Sequence, residues 1–269
     1  MSFDTAAYLD RIKLAACPSA TLDGLRKVQV AQMSAIACEN IRELLGEASD
    51  LSPAGIWSNL VVAKKGGNAE EVNSLLGSAL KSLGFTVRPV LCELHQDNPG
   101  ARQRLHSAWT VSLAGQNWLV DAGLGNYSPS TPILENRGPQ ASCGALYRVI
   151  TDPRSGYKTL QREVGGSWVS LYSYGSLLVA QANLEKASSA DGSTSPADLI
   201  ISMHLPNGRL TMMNSIAKSE ADFGTREFKS ANFEAFARAI RETFKLNYSE
   251  EQLLRVWAQM RGEQERRAA

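Results

Sequence analysis

The sequence predicts an α/β chain of the α+β kind, with a helical bundle first, an antiparallel β-barrel or sheet next, and a smaller mixed region last. Three observations lead there. Apolar residues recur at helical spacing up to about residue 85. From Phe85 the pattern becomes short alternating runs rich in β-branched and aromatic residues. After the Ser-rich stretch 186–198, a strand-turn-strand pattern is followed by an amphipathic helix. The expected divisions are therefore 1–85, 86–190 and 191–269.

Taken in order, Tyr8, Leu9, Ile12 and Leu14 outline a first amphipathic helix. Thr21 is a natural N-cap for a second, whose face runs through Leu22, Leu25, Val28, Met33 and Ile36. The stretch IACENIRELLG reads as helical, and Ser52-Pro53 starts a helix toward Trp57 and Leu60. An apolar run then meets Lys64, Lys65 and Gly66–Gly67, and a helix begins at once through Val72, Leu75, Leu76 and Leu80. A double glycine permits a sharp turn and a close approach of other groups, and the helix start offers unpaired N–H donors. FTVRPVLCEL, HSAWTVSLAGQNWLVDAGLG, YRVITD, YKTLQREV and SWVSLYSY read as strands. LIISMHLPNGRLTMMN reads as a hairpin turning at Pro206-Asn207-Gly208, and ANFEAFARAIRETFKLN as a closing helix before a charged helical tail.

Composition narrows the function. The chain has 269 residues, 43% hydrophobic and 20% charged, with a net charge of +1. That balance offers no basic field for nucleic acid or an anionic membrane, and no stretch is long and apolar enough to span a bilayer. The start, MSFDTAAYLDRIKL, lacks the pattern of a secretory signal, so a cytoplasmic protein is expected. Cys17, Cys38, Cys92 and Cys143 form no CxxC pair, and His95, His106 and His204 are dispersed, so neither a disulfide framework nor a metal site is expected. No feature calls for an obligate protein partner.

Several segments together resemble the arylamine N-acetyltransferase family. Ala37-Cys38-Glu39-Asn40 stands where that family has PFEN, and Lys65 to Asn73, KGGNAEEVN, where it has RGGYCFExN. His106-Ser107-Ala108-Trp109 matches the strand that begins with the family's catalytic histidine. Val120-Asp121-Ala122-Gly123-Leu124-Gly125 matches its VDVGFG-type aspartate motif. Ser128 to Pro132, Trp168 to Tyr172, Ser193-Thr194-Ser195-Pro196 and Asn207-Gly208-Arg209 resemble further family segments. The resemblance implies a three-domain fold of helical bundle, β-barrel and α/β lid, with the cleft between the first two. It also implies a ping-pong transfer of acetyl from acetyl-coenzyme A through a cysteine thioester.

Here the cysteine position is Ala69, so no thioester can form there. The change is not isolated: Asn68, Glu70 and Cys38 also differ in polarity from their family counterparts, which favours natural divergence over a single engineered substitution. His106 and Asp121 remain as candidate acid–base partners, the carboxylate orienting one ring nitrogen and leaving the other for proton transfer. Glu70 is a candidate acid, base or cation clamp, or else a helix-terminus carboxylate. Cys38, Asn68, Ala69, Gly125, Asn126 and Tyr127 are the candidate substrate-binding positions; Cys38 reads more readily as a small buried hydrophobe than as a relocated nucleophile. Glu71 and Asn73 read as structural supports, His95 as a loop residue and His204 as a satisfied structural histidine. Lys64 and Lys65 are open between a contact to coenzyme A phosphates and a solvated pair.

The leading expectation is an enzyme repurposed for cysteine-independent condensation, cyclisation, elimination or isomerisation of a small aromatic or polyketide-like metabolite, with no cofactor. The alternatives are an acetyl-coenzyme A-dependent arylamine N-acetyltransferase carrying Ala69, and a non-catalytic binding protein.

Overall fold

Side-chain caps begin the N-terminal helices. Asp4 accepts from the Ala7 amide to start α1 (Thr5–Arg11), Thr21 from Gly24 to start α2 (Leu22–Ala35), and Ser52 from Gly55 to start α4 (Pro53–Trp57). A π turn over Ser58–Val62 extends α4, and α5 spans Ala69–Ser82. The computed structural model describes residues 3–95, 105–175, 198–205, 207–221 and 224–268. The segment resembling Ser193–Pro196, most of the Ser-rich connection, the 96–100 loop and Pro206 of the expected turn lie outside those residues.

One helical expectation fails. Cys38–Glu39 is a short strand, β1, followed by a single turn, α3 (Ile41–Leu44). The reason is pairing on both sides: Glu39 donates to the Gly67 carbonyl (2.9 Å) and Gly67 to the Ala37 carbonyl (3.1 Å), while Cys38 and Glu39 pair with Ser202 and Ile201. Neither Gly66 nor Gly67 has a positive φ. Their glycine character serves close approach instead, since a Cβ on Gly66 would lie 2.7 Å from the Ala37 carbonyl oxygen.

Eight strands form a nearly closed antiparallel barrel: β2 (Thr86–Leu94), β3 (Leu105–Leu113), β4 (Gln116–Val120), β5 (Ile133–Leu134), β6 (Gln140–Ser142), β7 (Ala145–Thr151), β8 (Lys158–Val164) and β9 (Ser167–Tyr174). Their order is β5-β4-β3-β2-β9-β8-β7-β6. The Gln140 side chain clasps the two ends by bonding both the amide and the carbonyl of Leu134 at 2.9 Å.

Strand β3 is buried on both faces, which positions the site. Its even residues point into the barrel, where Ala108 packs with Cys92, Tyr172 and Tyr174. Its odd residues face α5, with Trp109 and Val111 joining the helical core of Leu25, Leu60, Leu76 and Leu80. His106 therefore looks into the barrel mouth and Ser107 toward the start of α5.

The C-terminal sheet runs β1-β10-β11-β12-β13, with β10 (Ile200–Leu205), β11 (Gly208–Met213), β12 (Ile216–Ala221) and β13 (Gly224–Lys229). The β10–β11 hairpin is the one expected. The β12–β13 hairpin was not expected, because its mostly polar residues, exposed throughout β13, give no hydrophobic alternation to read. Helices α6 (Phe233–Arg238, capped by Asn232) and α7 (Glu250–Ala268) cover the sheet, and Ala37, Ile41 and Leu44 share their core. Among the described residues, no helix is long and apolar enough to cross a membrane.

Candidate active site

The site is built on the first turn of α5. Asn68 and Glu71 form a reciprocal capping box: the Asn68 side chain accepts from the Glu71 amide (3.1 Å), and the Glu71 carboxylate accepts from the Asn68 amide (3.0 Å). Glu71 also pairs with Arg42, which ties the helix start to α3. Asn68 was expected to contact substrate, but its side chain is occupied by the cap and by Glu43 and Ser49 (3.3 and 3.2 Å). Ala69, half-buried, is the first helical residue. Its amide and that of Glu70 belong to the first turn, where no intrahelical acceptor exists, so they present the positive end of the helix dipole.

His106 and Asp121 meet beside this turn. His106 Nε2 lies 2.8 Å from Asp121 Oδ2, with both residues buried. Asp121 Oδ1 accepts from Asn73 Nδ2 (3.0 Å) and the Gly123 amide (2.8 Å). Burial alone would favour the uncharged ring, but the charge and hydrogen bond of Asp121, with the charge of Glu70, hold the imidazole above its ordinary pKa. Burial would likewise raise the Asp121 carboxyl, yet His106, Asn73 and the Gly123 amide hold it below the usual range. The pair is thus pre-oriented, with Nδ1 as the ring nitrogen not engaged by Asp121.

Asn73, expected only as a support, is the clamp of the arrangement. Besides Asp121 it donates to the Ser107 carbonyl (2.6 Å), accepts from the Ala122 amide (2.8 Å), and its own carbonyl accepts from the Trp109 indole (2.7 Å). Gln29 adds a second bracket, donating to the Pro129 carbonyl (2.9 Å). Both are buried amides on otherwise apolar helix faces, and that polar interruption is the sequence signal that could have flagged them.

Glu70 reaches the same spot. Ser107 donates to it at 2.5 Å and Ser74 at 3.2 Å, so its carboxylate is held against β3. Gly123 packs directly on the helix start: a Cβ there would lie 2.6 Å from the Ala69 carbonyl oxygen. Cys38 lies on the far side of this loop, its thiol 3.7 Å from the Gly123 carbonyl. Burial, then the charges of Glu39 and Asp121, push that thiol up to about 12, which opposes a nucleophilic role.

Gly125, Asn126 and Tyr127 form a 3₁₀ turn after the aspartate. Gly125 approaches Ser202, the Asn126 carbonyl accepts from Arg209, and the half-exposed Tyr127 ring lies under the Arg162 guanidinium at 5.6 Å. His204 is buried, and among the described residues neither ring nitrogen has a partner in hydrogen-bond geometry. Lys64 is exposed, whereas Lys65 sits 4.9 Å above the Tyr248 ring. His95 pairs with Ser173, and no group of three or more His, Cys, Asp or Glu residues among those described could hold a metal ion.

Comparison with known proteins matches this architecture. A family profile described as N-acetyltransferase covers residues 21–253. The arylamine N-acetyltransferase of Mycobacterium tuberculosis is 30% identical over 93% of this chain and 92% of its own length. The Mycobacterium marinum arylamine N-acetyltransferase in complex with CoA superposes with a TM-score of 0.83 at 28% identity, covering 94% of this chain and 98% of that one. The arylamine N-acetyltransferase of M. smegmatis does so with 0.85 at 26% identity, over 96% and 99%. A more distant relative, the proansamycin X synthase of Amycolatopsis mediterranei, is 24% identical over 64% of this chain and 67% of its own. The CoA complex overturns the expectation of no cofactor: that expectation rested on Ala69 and the acidic Glu70, but the Glu70 carboxylate is engaged by two serines. The profile spans most of the chain and the M. tuberculosis enzyme is similar over nearly its whole length, so the chain belongs to the arylamine N-acetyltransferase family.

Proposed function

We propose that this protein is an acetyl-coenzyme A-dependent transferase that acetylates a small aromatic amine or hydrazine directly, without an enzyme thioester. The observation that carries the reading is the His106–Asp121 pair, buried and bonded at 2.8 Å beside a helix N-terminus whose first residue, Ala69, has no nucleophile. The residues present fit the thioester end of the donor: two first-turn amides lack intrahelical acceptors, and Glu70 is engaged by serine hydroxyls. Acetyl-coenzyme A, when bound, supplies an activated acetyl group. His106 Nδ1 would take the proton that the acceptor nitrogen loses as the new N–C bond forms and return it to the departing coenzyme A sulfur as the C–S bond breaks, so that coenzyme A leaves as the thiol, while Asp121 keeps the ring in the required tautomer. The amides of Ala69 and Glu70 offer hydrogen bonds to a carbonyl oxygen as it gains negative charge.

The test is steady-state acetylation of a panel of arylamines and hydrazines. The unaltered protein should give intersecting double-reciprocal lines, and Ala69→Cys should give parallel lines by restoring a covalent route. If neither form acetylates any acceptor, the proposal is wrong. A second reading, acid–base chemistry on an aromatic or polyketide-like metabolite, draws on Glu70 beside His106 and on the relative named proansamycin X synthase. Turnover of such a metabolite, abolished in His106→Ala, with the acetylation assay silent, would favour it.

A further inference from the structure

The C-terminal sheet ends at an open edge. Among the described residues β13 has β12 on one side and no strand on the other. The Ser230 amide donates to the Ser215 carbonyl (2.8 Å), one step beyond the Ile216–Lys229 pair, and this fixes the phase of the ladder. Even-numbered residues of β13 therefore turn their N–H and C=O toward β12, and Thr225, Glu227 and Lys229 turn theirs outward. All of β13 is exposed.

The side chains of this edge are incomplete on both faces. On the helix-facing side, Ile201, Met212, Ala217 and Phe228 are direct cross-strand neighbours in one row. The first three are buried in the core under α6 and α7, whereas Phe228 is 57% exposed. The apolar row thus runs out into solvent at its last member. On the opposite face Glu227 stands across from Lys218, but Lys218 is bonded to Glu220. Lys229 stands across from Ile216, and among the described residues neither Glu227 nor Lys229 forms an ion pair.

Charges on an edge strand commonly keep other strands away. That role accounts for Arg226 and Lys229, but not for a bare aromatic ring with opposite charges at the positions on either side. Glu227-Phe228-Lys229 is instead self-complementary. A second copy laid antiparallel about a two-fold axis at Phe228 sets the two phenylalanines face to face, Glu227 against the partner's Lys229 and Lys229 against the partner's Glu227. The outward N–H and C=O groups of Glu227 and Lys229 are then the ones that meet. An axis at Arg226 or at Glu227 would set like charges against each other. We propose that β13 is a homodimer interface, through which two copies of this chain join their five-stranded sheets edge to edge. The contact is small, so the dimer is weak and depends on protein concentration.

Sedimentation equilibrium of the full chain tests this. The unaltered protein should show a monomer–dimer equilibrium that weakens as salt is raised. Lys229→Glu sets like charges together at both symmetric pairs and should raise the dimer dissociation constant at least about tenfold; Glu227→Lys should do the same. Combining the two exchanges the charges and should return the constant to within about threefold of its original value. Both positions are exposed, far-UV circular dichroism reads the folding of each variant, and either single reversal suffices for the break. A monomer at every concentration up to about 1 mM would leave the edge to solvent or to an extended segment of another protein, and would overturn the proposal. A dimer that the charge reversals do not weaken, or that the double exchange does not restore, would place the interface elsewhere and overturn it as well.

Discussion

Replacing Asn73 by alanine should be the most damaging small change in the site. Its side chain bonds the Asp121 carboxylate, the Ser107 carbonyl and the Ala122 amide at 3.0, 2.6 and 2.8 Å, and it is fully buried. Alanine leaves these three groups short of a partner where water has no access. Each stranded buried group costs about 1–3 kcal/mol, and Asp121 retains its Gly123 and His106 bonds, so a total loss of about 3–5 kcal/mol is expected. That is a large fraction of a domain's stability of about 5–15 kcal/mol. Urea unfolding followed by tryptophan fluorescence measures it, since Trp109 bonds the same residue. A cycle with Asp121→Ala should show a coupling of about 1–3 kcal/mol, because the two side chains share a bond. A loss below about 1 kcal/mol, or no coupling, would refute the view of Asn73 as the clamp.

Four further outcomes follow from the same geometry. If His106 is the base, kcat/KM should rise with pH through a midpoint above the ordinary value of 6.5, because the ring must lose the proton that Asp121 and Glu70 favour; a midpoint below 6.5 would contradict that role. In stability, the contribution of His106 is present below 6.5 and lost as pH rises through its raised folded value, whereas that of Asp121 is present above 3.8 and lost as pH falls through its lowered one. Gly123→Ala should cost about 1–3 kcal/mol by overpacking the Ala69 carbonyl, and an unchanged unfolding midpoint would show that the helix start yields freely. At neutral pH, iodoacetamide should label the exposed Cys17 while Cys38 stays unmodified, as read by peptide mass; rapid labelling of Cys38 would revive it as a nucleophile.

Much of the fold was legible because it is written in local patterns. Thr21, Ser52 and Asn232 cap the helices their neighbours outline, and the change of period near Phe85 marks where strands begin. Motif order brought His106 and Asp121 forward as partners, and they are bonded. Three features were not legible. β12 and β13 carry polar residues with little apolar alternation, Cys38 becomes a strand only because Gly67 and Ser202 lie on either side, and Asn68 caps a helix at the position expected to contact substrate.

The sequence by itself determined most of the helix and strand periods, the helix starts at Thr21 and Ser52, the family motifs and the absence of a thiol at position 69, because each depends on residues within a few positions of one another. Only the tertiary structure decided that Asn73 grips Asp121 and that Arg162, Arg209 and His204 converge on the Asn126 turn. Those contacts join strands far apart in the chain, and no local pattern records which polar side chains strand pairing will bring together.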